Sequence, residues 1–138
     1  DCIGSTTAAG GCVLTFTNIG AANGHIIIQS VDLTIQVSSV PSGMTSFRLY
    51  LYNATPPSAL GDNAAWDYAT ADVPSFIGYV DFGTPIDLGT NLFVQTDGIA
   101  KKLAMGTTTS LFAYLITNGG YTPSASSVIL IRINALGI

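Results

Sequence analysis

The clearest pattern along the chain is strict alternation. From Val31, apolar residues fall at every second position (Val31, Leu33, Ile35, Val37), with Asp32, Thr34, Gln36 and Ser38 between them. A period of two predicts a strand with one face in a core and one face out. The strand starts near His25, where Asn23-Gly24 marks a turn. A second strand is expected over Thr45–Asn53, with Phe47, Leu49 and Leu51 on one face and Arg48, Tyr50 and Tyr52 on the other. Short strands are also expected over Cys12–Ile19, Ser75–Phe82, Pro85–Leu88, Thr90–Thr96, Ile99–Met105, Ser110–Thr117 and Ser127–Asn134. The last is apolar on both faces, which predicts a central or covered strand. Residues 54–74 carry almost no alternation, and Pro56-Pro57 closes the preceding strand. So long a loop in a compact domain is usually functional or packed down. Trp66 is its expected anchor, with a short helical turn near Ala64–Tyr68.

Eight or nine short strands and no long helical period predict an all-β fold, an antiparallel β-sandwich of jelly-roll type. Residues 1–11 (DCIGSTTAAGG) have small side chains and no periodicity, and read as a flexible arm ahead of a single domain over 12–138. Cys2 and Cys12 could pair, but two cysteines make no disulfide framework, and idle thiols are the expectation. A chain of 138 residues can bury a core without help from disulfides or metals.

Composition sharpens the picture. Hydrophobic residues make up 48% and charged residues only 9%, against about 25% charged in ordinary domains. So little charge predicts that part of the surface is covered by a partner. Ser and Thr keep some of the remainder wet. Every acid is Asp, and the only bases are Arg48, Lys101, Lys102 and Arg132. A net charge of −4 offers phosphates no field, which argues against direct nucleic-acid binding. No apolar run is long enough to span a membrane as a helix, and no signal peptide is visible.

Chemistry-bearing motifs are scarce. His25 is the only histidine, so any Ser-His-Asp or Cys-His arrangement would need it, and it follows a turn as a solvated or capping residue would. Asp81 and Asp87 could be paired as glycosidase acids but read as ordinary strand-end residues. Asp62, Asn63, Asp67 and Asp72 could offer oxygens to calcium, though their spacing fits no EF-hand. The expectation is no enzyme, no cofactor and no metal. Arg48 and Arg132, in so charge-poor a chain, are expected to pair with Asp inside the domain.

The runs RLYLYNATPPSAL (Arg48–Leu60), GDNAAWD (Gly61–Asp67) and SFIGYVDFGTPIDLG (Ser75–Gly89) resemble the head cement, or decoration, proteins of tailed bacteriophages. The resemblance is clearest over residues 45–97. It implies a non-enzymatic jelly-roll protein on the outer surface of the virion, assembled in the host cytoplasm. It also implies that the protein bridges neighbouring subunits of the major capsid protein and associates with itself, as a homodimer or else a trimer. The candidate partner contacts are Arg48, Tyr50, Tyr52, Pro56, Pro57, Trp66, Lys101 and Lys102. The competing expectation is a carbohydrate- or receptor-binding sandwich that uses Trp66, Tyr50, Tyr52 and Tyr68 as a stacking platform. That platform requires exposed, coplanar rings.

Overall fold

In the computed structural model, residues 1–5, 8–121, 123 and 127–138 are described. Among the described residues there are nine strands in two antiparallel sheets packed face to face: β1 (Leu14–Phe16), β2 (His25–Ile35), β3 (Phe47–Tyr52), β4 (Phe76–Phe82), β5 (Ile86–Asp87), β6 (Leu92–Thr96), β7 (Lys101–Ala104), β8 (Leu111–Thr117) and β9 (Ile129–Gly137). One sheet runs β1-β8-β3-β4. The other runs β5-β6-β2, with β7 beside the start of β2 and β9 along its opposite edge. The β-sandwich is as the alternation predicts. Its strand order does not by itself identify a jelly-roll winding. No helix among the described residues is long and apolar enough to cross a membrane. The helical turn expected near Ala64–Tyr68 is absent there; a 3-10 turn forms instead at Thr70–Asp72.

β2 shows how the sequence sets the register. Its buried apolar residues are Ile26 and Ile28, then Val31, Leu33 and Ile35. The inward set changes from even to odd numbers, and a pleated strand can do that only by inserting a residue. The pairing with β9 does shift between Ile28 and Ser30, and the carbonyl of the bulged Gln29 accepts the Ile99 N–H at 3.0 Å. Together with Phe47, Leu49 and Leu51 of β3 and Leu111, Ala113 and Leu115 of β8, these side chains fill the space between the sheets.

A second, smaller core lies on the outer face of the β1-β8-β3-β4 sheet. It consists of Cys2, Cys12, Tyr52, Tyr114 and Ile116, with Leu60, Trp66 and Phe76 packed against them. Here three expectations need correction. Cys2 and Cys12 are joined in a disulfide. The described part of the N-terminal segment is no loose arm, because its backbone is bonded to the body: Ile3 N–H to Leu115 at 2.9 Å, Thr117 N–H to Asp1 at 3.0 Å and Cys2 N–H to Ala64 at 2.8 Å. The described residues 1–5 and 8–11 therefore pack with the domain, and Thr6 and Thr7 lie outside the described residues. Finally, β9 is not central. Among the described residues it pairs with β2 alone, so it forms an edge of its sheet.

Candidate interaction site

The outward residues of β3 are Arg48, Tyr50 and Tyr52. In the antiparallel register they lie opposite Asp81, Tyr79 and Phe76 of β4, and opposite Ile116, Tyr114 and Phe112 of β8. An aromatic ladder therefore crosses the outer face of this sheet, and cross-strand aromatic pairs of this kind stabilise a sheet. β4 follows that register through an irregularity at Ile77, and the adjoining Gly78 sits at φ 120°, in the region that favours glycine.

The loop over residues 53–75 folds back across one end of the ladder and is pinned at several points. Ser58 N–H donates to the Asp72 carboxylate at 3.0 Å, and Leu60 N–H donates to the Tyr114 hydroxyl at 3.4 Å. Asp72 is fully buried, and its carbonyl accepts both the N–H and the hydroxyl of Ser75. Trp66 supplies the main contact. Its ring lies flat on Tyr50, with centroids 3.6 Å apart and planes 4° from parallel. Its indole N–H donates to the Tyr52 hydroxyl at 3.0 Å.

Tyr52 is thereby sealed in, and burial pushes its phenol up to about 12. The folded state prefers the neutral phenol, so this contribution is complete below the ordinary tyrosine value near 10. It is lost as pH rises from about 10 to about 12. A plot of melting temperature against pH is expected to be flat up to about pH 9.5 and then to fall. Tyr52→Phe, which has no proton to lose there, is expected to fall less steeply. Equal slopes would overturn the assignment.

At the other end the ladder reaches solvent. The Arg48 guanidinium sits 4.0 Å from the Tyr79 ring centroid. It is also held by Asp81 through two N–H···O bonds of 2.6 and 3.2 Å. Those bonds raise its pKa further, so it stays charged at any working pH. Tyr79 and Tyr68 remain 44% and 46% exposed. Arg48, Tyr79 and Tyr50 touch in series, and Tyr68 at the loop-covered end joins them through Trp66, which stacks on both tyrosines. Together they make a patch of the residue types that dominate protein interfaces.

The sequence candidates divide accordingly. Arg48 and Tyr50 belong to the patch. Trp66 is half-buried and joins patch to cover, whereas Tyr52 and Pro56 are buried and Pro57 is exposed. Lys101 and Lys102 make no common patch, because neighbours on a strand point to opposite faces. Lys101 leans into the crevice beside Gly78 and Tyr79, and Lys102 is exposed. Tyr79 is the residue that sequence reasoning missed as a contact, and Tyr68 was named only for the sugar platform. Tyr79 could have been found by noting that Tyr79 and Asp81 share a face, as Tyr50 and Arg48 do.

Several of the acids are used structurally. Asp81 and Asp32 hold Arg48 and Arg132, as expected for so few bases. Asp87 accepts the Gly89 N–H at 2.8 Å and Asp62 the Gly4 N–H at 2.9 Å. His25 is exposed at the start of β2. Among the described residues no group of three or more His, Cys, Asp and Glu side chains could hold a metal, so the loop acids 62, 67 and 72 do not converge. Searches against protein-family models, curated proteins and solved structures found no match to this chain.

Proposed function

We propose that this chain is a structural protein of a tailed-phage head, bound to the outside of the capsid and bridging neighbouring subunits of the major capsid protein. The observation that carries the proposal is the Arg48–Tyr79–Tyr50–Tyr68 patch. It is interface-like in composition, partly exposed, and fixed by an ion pair, a ring stack and a pinned loop. A side chain immobilised before docking loses little further entropy on binding, so even a small patch can add affinity. On a closed shell many such contacts act together, and each can be modest. The cement-protein resemblance of residues 45–97 points the same way. The disulfide also suits a virion surface, where disulfides persist, with oxidation following assembly in the host cytoplasm. In this reading the partners are the capsid protein and a second copy of the chain, with no enzymatic step.

A sugar platform is the weaker reading on one specific ground. Trp66 and Tyr50 are parallel because they stack on each other, so each has already given one face to the other. The proposal is tested by adding purified protein to undecorated heads. Tyr79→Ala is expected to weaken attachment about tenfold or more while leaving the melting temperature within a few degrees of wild type. Attachment by a Tyr68→Ala/Tyr79→Ala variant at wild-type strength would remove the patch from the proposal. Specific capture on a glycan array would favour the sugar reading.

A further inference from the structure

Natural sheets blunt their exposed edges with short strands, lysines, prolines or bulges. Most edges of this sandwich follow that rule. β1 has three residues and β5 has two, β4 carries an irregularity, and β7 opens with Lys101-Lys102. β9 does not follow it. It runs nine residues with no proline, and Arg132 is its only charge.

The backbone of β9 has a definite parity. Gln36 N–H donates to Val128 at one end, and Ile138 N–H donates to His25 at the other. Even-numbered residues therefore turn their amides toward β2, and the amides of Ile129, Ile131, Ile133, Ala135 and Gly137 face the open edge. The outward side chains are the even-numbered ones. Val128, Leu130, Leu136 and Ile138 are 45–65% exposed, with Arg132 and Asn134 between them. The apolar positions are thus symmetric about Ile133.

We propose that β9 is the seam of a two-fold dimer, pairing antiparallel with β9 of a second copy about an axis through Ile133. In that register Leu130 faces Leu136 of the other copy, Val128 faces Ile138, and Arg132 faces Asn134. The polar pair is complementary. Asn134 spends its amide N–H on Ser30 Oγ at 2.8 Å, which leaves its carbonyl oxygen as an acceptor. Arg132 spends Nε on Asp32 at 2.9 Å, which leaves its terminal nitrogens as donors. The neighbouring registers lose this fit. An axis at Arg132 sets guanidinium against guanidinium, and an axis at Asn134 sets Arg132 against Leu136. The pairing gives the second copy assumed above a surface and a register. It needs no capsid, so the two proposals fail separately.

Sedimentation of the wild-type chain is expected to show a concentration-dependent species of twice 14.2 kDa. A Leu130→Cys/Leu136→Cys variant tests the register. Facing positions of a non-hydrogen-bonded pair lie within disulfide reach, whereas the two sites within one strand are about 20 Å apart. Oxidation is expected to lock this variant into a covalent dimer, and Arg132→Cys alone is expected to stay unlinked. Ile133→Pro removes an amide that faces only the open edge, so it is expected to raise the dimer dissociation constant about a hundredfold with β content unchanged. Failure of the double-cysteine variant to link, efficient linking of Arg132→Cys, or a wild-type monomer at millimolar concentration would each overturn the proposal. Should Ile133→Pro fail to fold, the cross-link decides alone. A dimer that attaches to no head would leave the seam intact and end the capsid reading.

Discussion

Reduction of the Cys2–Cys12 disulfide is expected to lower the melting temperature by about 10 °C without dismantling the two sheets. The bridge spans ten positions of sequence, and closing a loop of that size in the unfolded chain corresponds to about 3 kcal/mol. In a domain of this size each kcal/mol moves the midpoint by about 3–5 °C. The effect is local as well as global. Both cysteines are buried, and their amides bond the covering loop, Cys2 N–H to Ala64 and Cys12 N–H to Leu60. Cutting the bridge frees two elements that hold each other, while the core between the sheets gains no new exposure. Calorimetry with and without reductant reads the first effect, and hydrogen exchange reads the second. Protection is expected to fall over residues 2–5 and 58–66 and to persist in β2, β3 and β8. Unchanged melting of a Cys2→Ser/Cys12→Ser variant would show that the second core holds without its bridge.

Most of the fold was legible because strand formation here is a local property. Alternation at Val31–Val37 and Phe47–Tyr52 fixes which face is buried, and eight of the nine strands among the described residues fall within a segment the pattern marks, while β9 runs past its expected end at Asn134 to Gly137. The β2 bulge was not legible, because Ile26, Ile27 and Ile28 are all apolar and Ile27 would continue the odd-numbered set; it is the burial of Ile26 and Ile28 that requires an inserted residue. Of the two expectations for β9, central or covered, the central one failed for a physical reason. An apolar outer face has the same sequence signature whether the chain's own body covers it or it stays open. Leu130 and Leu136 say that the face avoids water and do not say what meets it. The thiols were misread because pairing depends on where the N-terminal segment lies, and its small, aperiodic residues carry no trace of that path.

The candidate site was half legible for a related reason. Arg48 and Tyr50 were assigned to the outer face by alternation alone, and their ion-pair and stacking roles follow from cross-strand register. Tyr52 lies on that same face and is fully buried. Nothing within its own strand distinguishes it from Tyr50. The difference comes from a distant loop whose seat depends on side-chain hydrogen bonds at Ser58, Leu60 and Trp66. Periodicity assigns a residue to a face, and the loop decides whether that face is surface or core.

Trp66 is where that decision is made, and its removal is expected to be among the most costly single changes on the outer face. Truncating a buried Trp costs about 3–5 kcal/mol, and the half-exposed position of Trp66 places Trp66→Ala near 3 kcal/mol, a drop of about 10–15 °C. Two separable contacts make up the loss. Trp66→Phe keeps a ring over Tyr50 but donates nothing to the Tyr52 hydroxyl, so it is expected to cost about 1–2 kcal/mol. Tyr50→Ala removes the other half of the stack. The Tyr50→Ala/Trp66→Ala pair is therefore expected to cost less than the sum of the single changes, because the second truncation has no ring left to lose. Thermal melts of the four proteins measure both terms. An additive pair, or a Trp66→Ala variant as stable as wild type, would mean that the loop is held by its backbone bonds rather than by the indole. A large loss would explain why one side of an otherwise sticky aromatic ladder is core. The indole closes Tyr52 off from water and leaves Tyr79 exposed and Arg48 half-exposed.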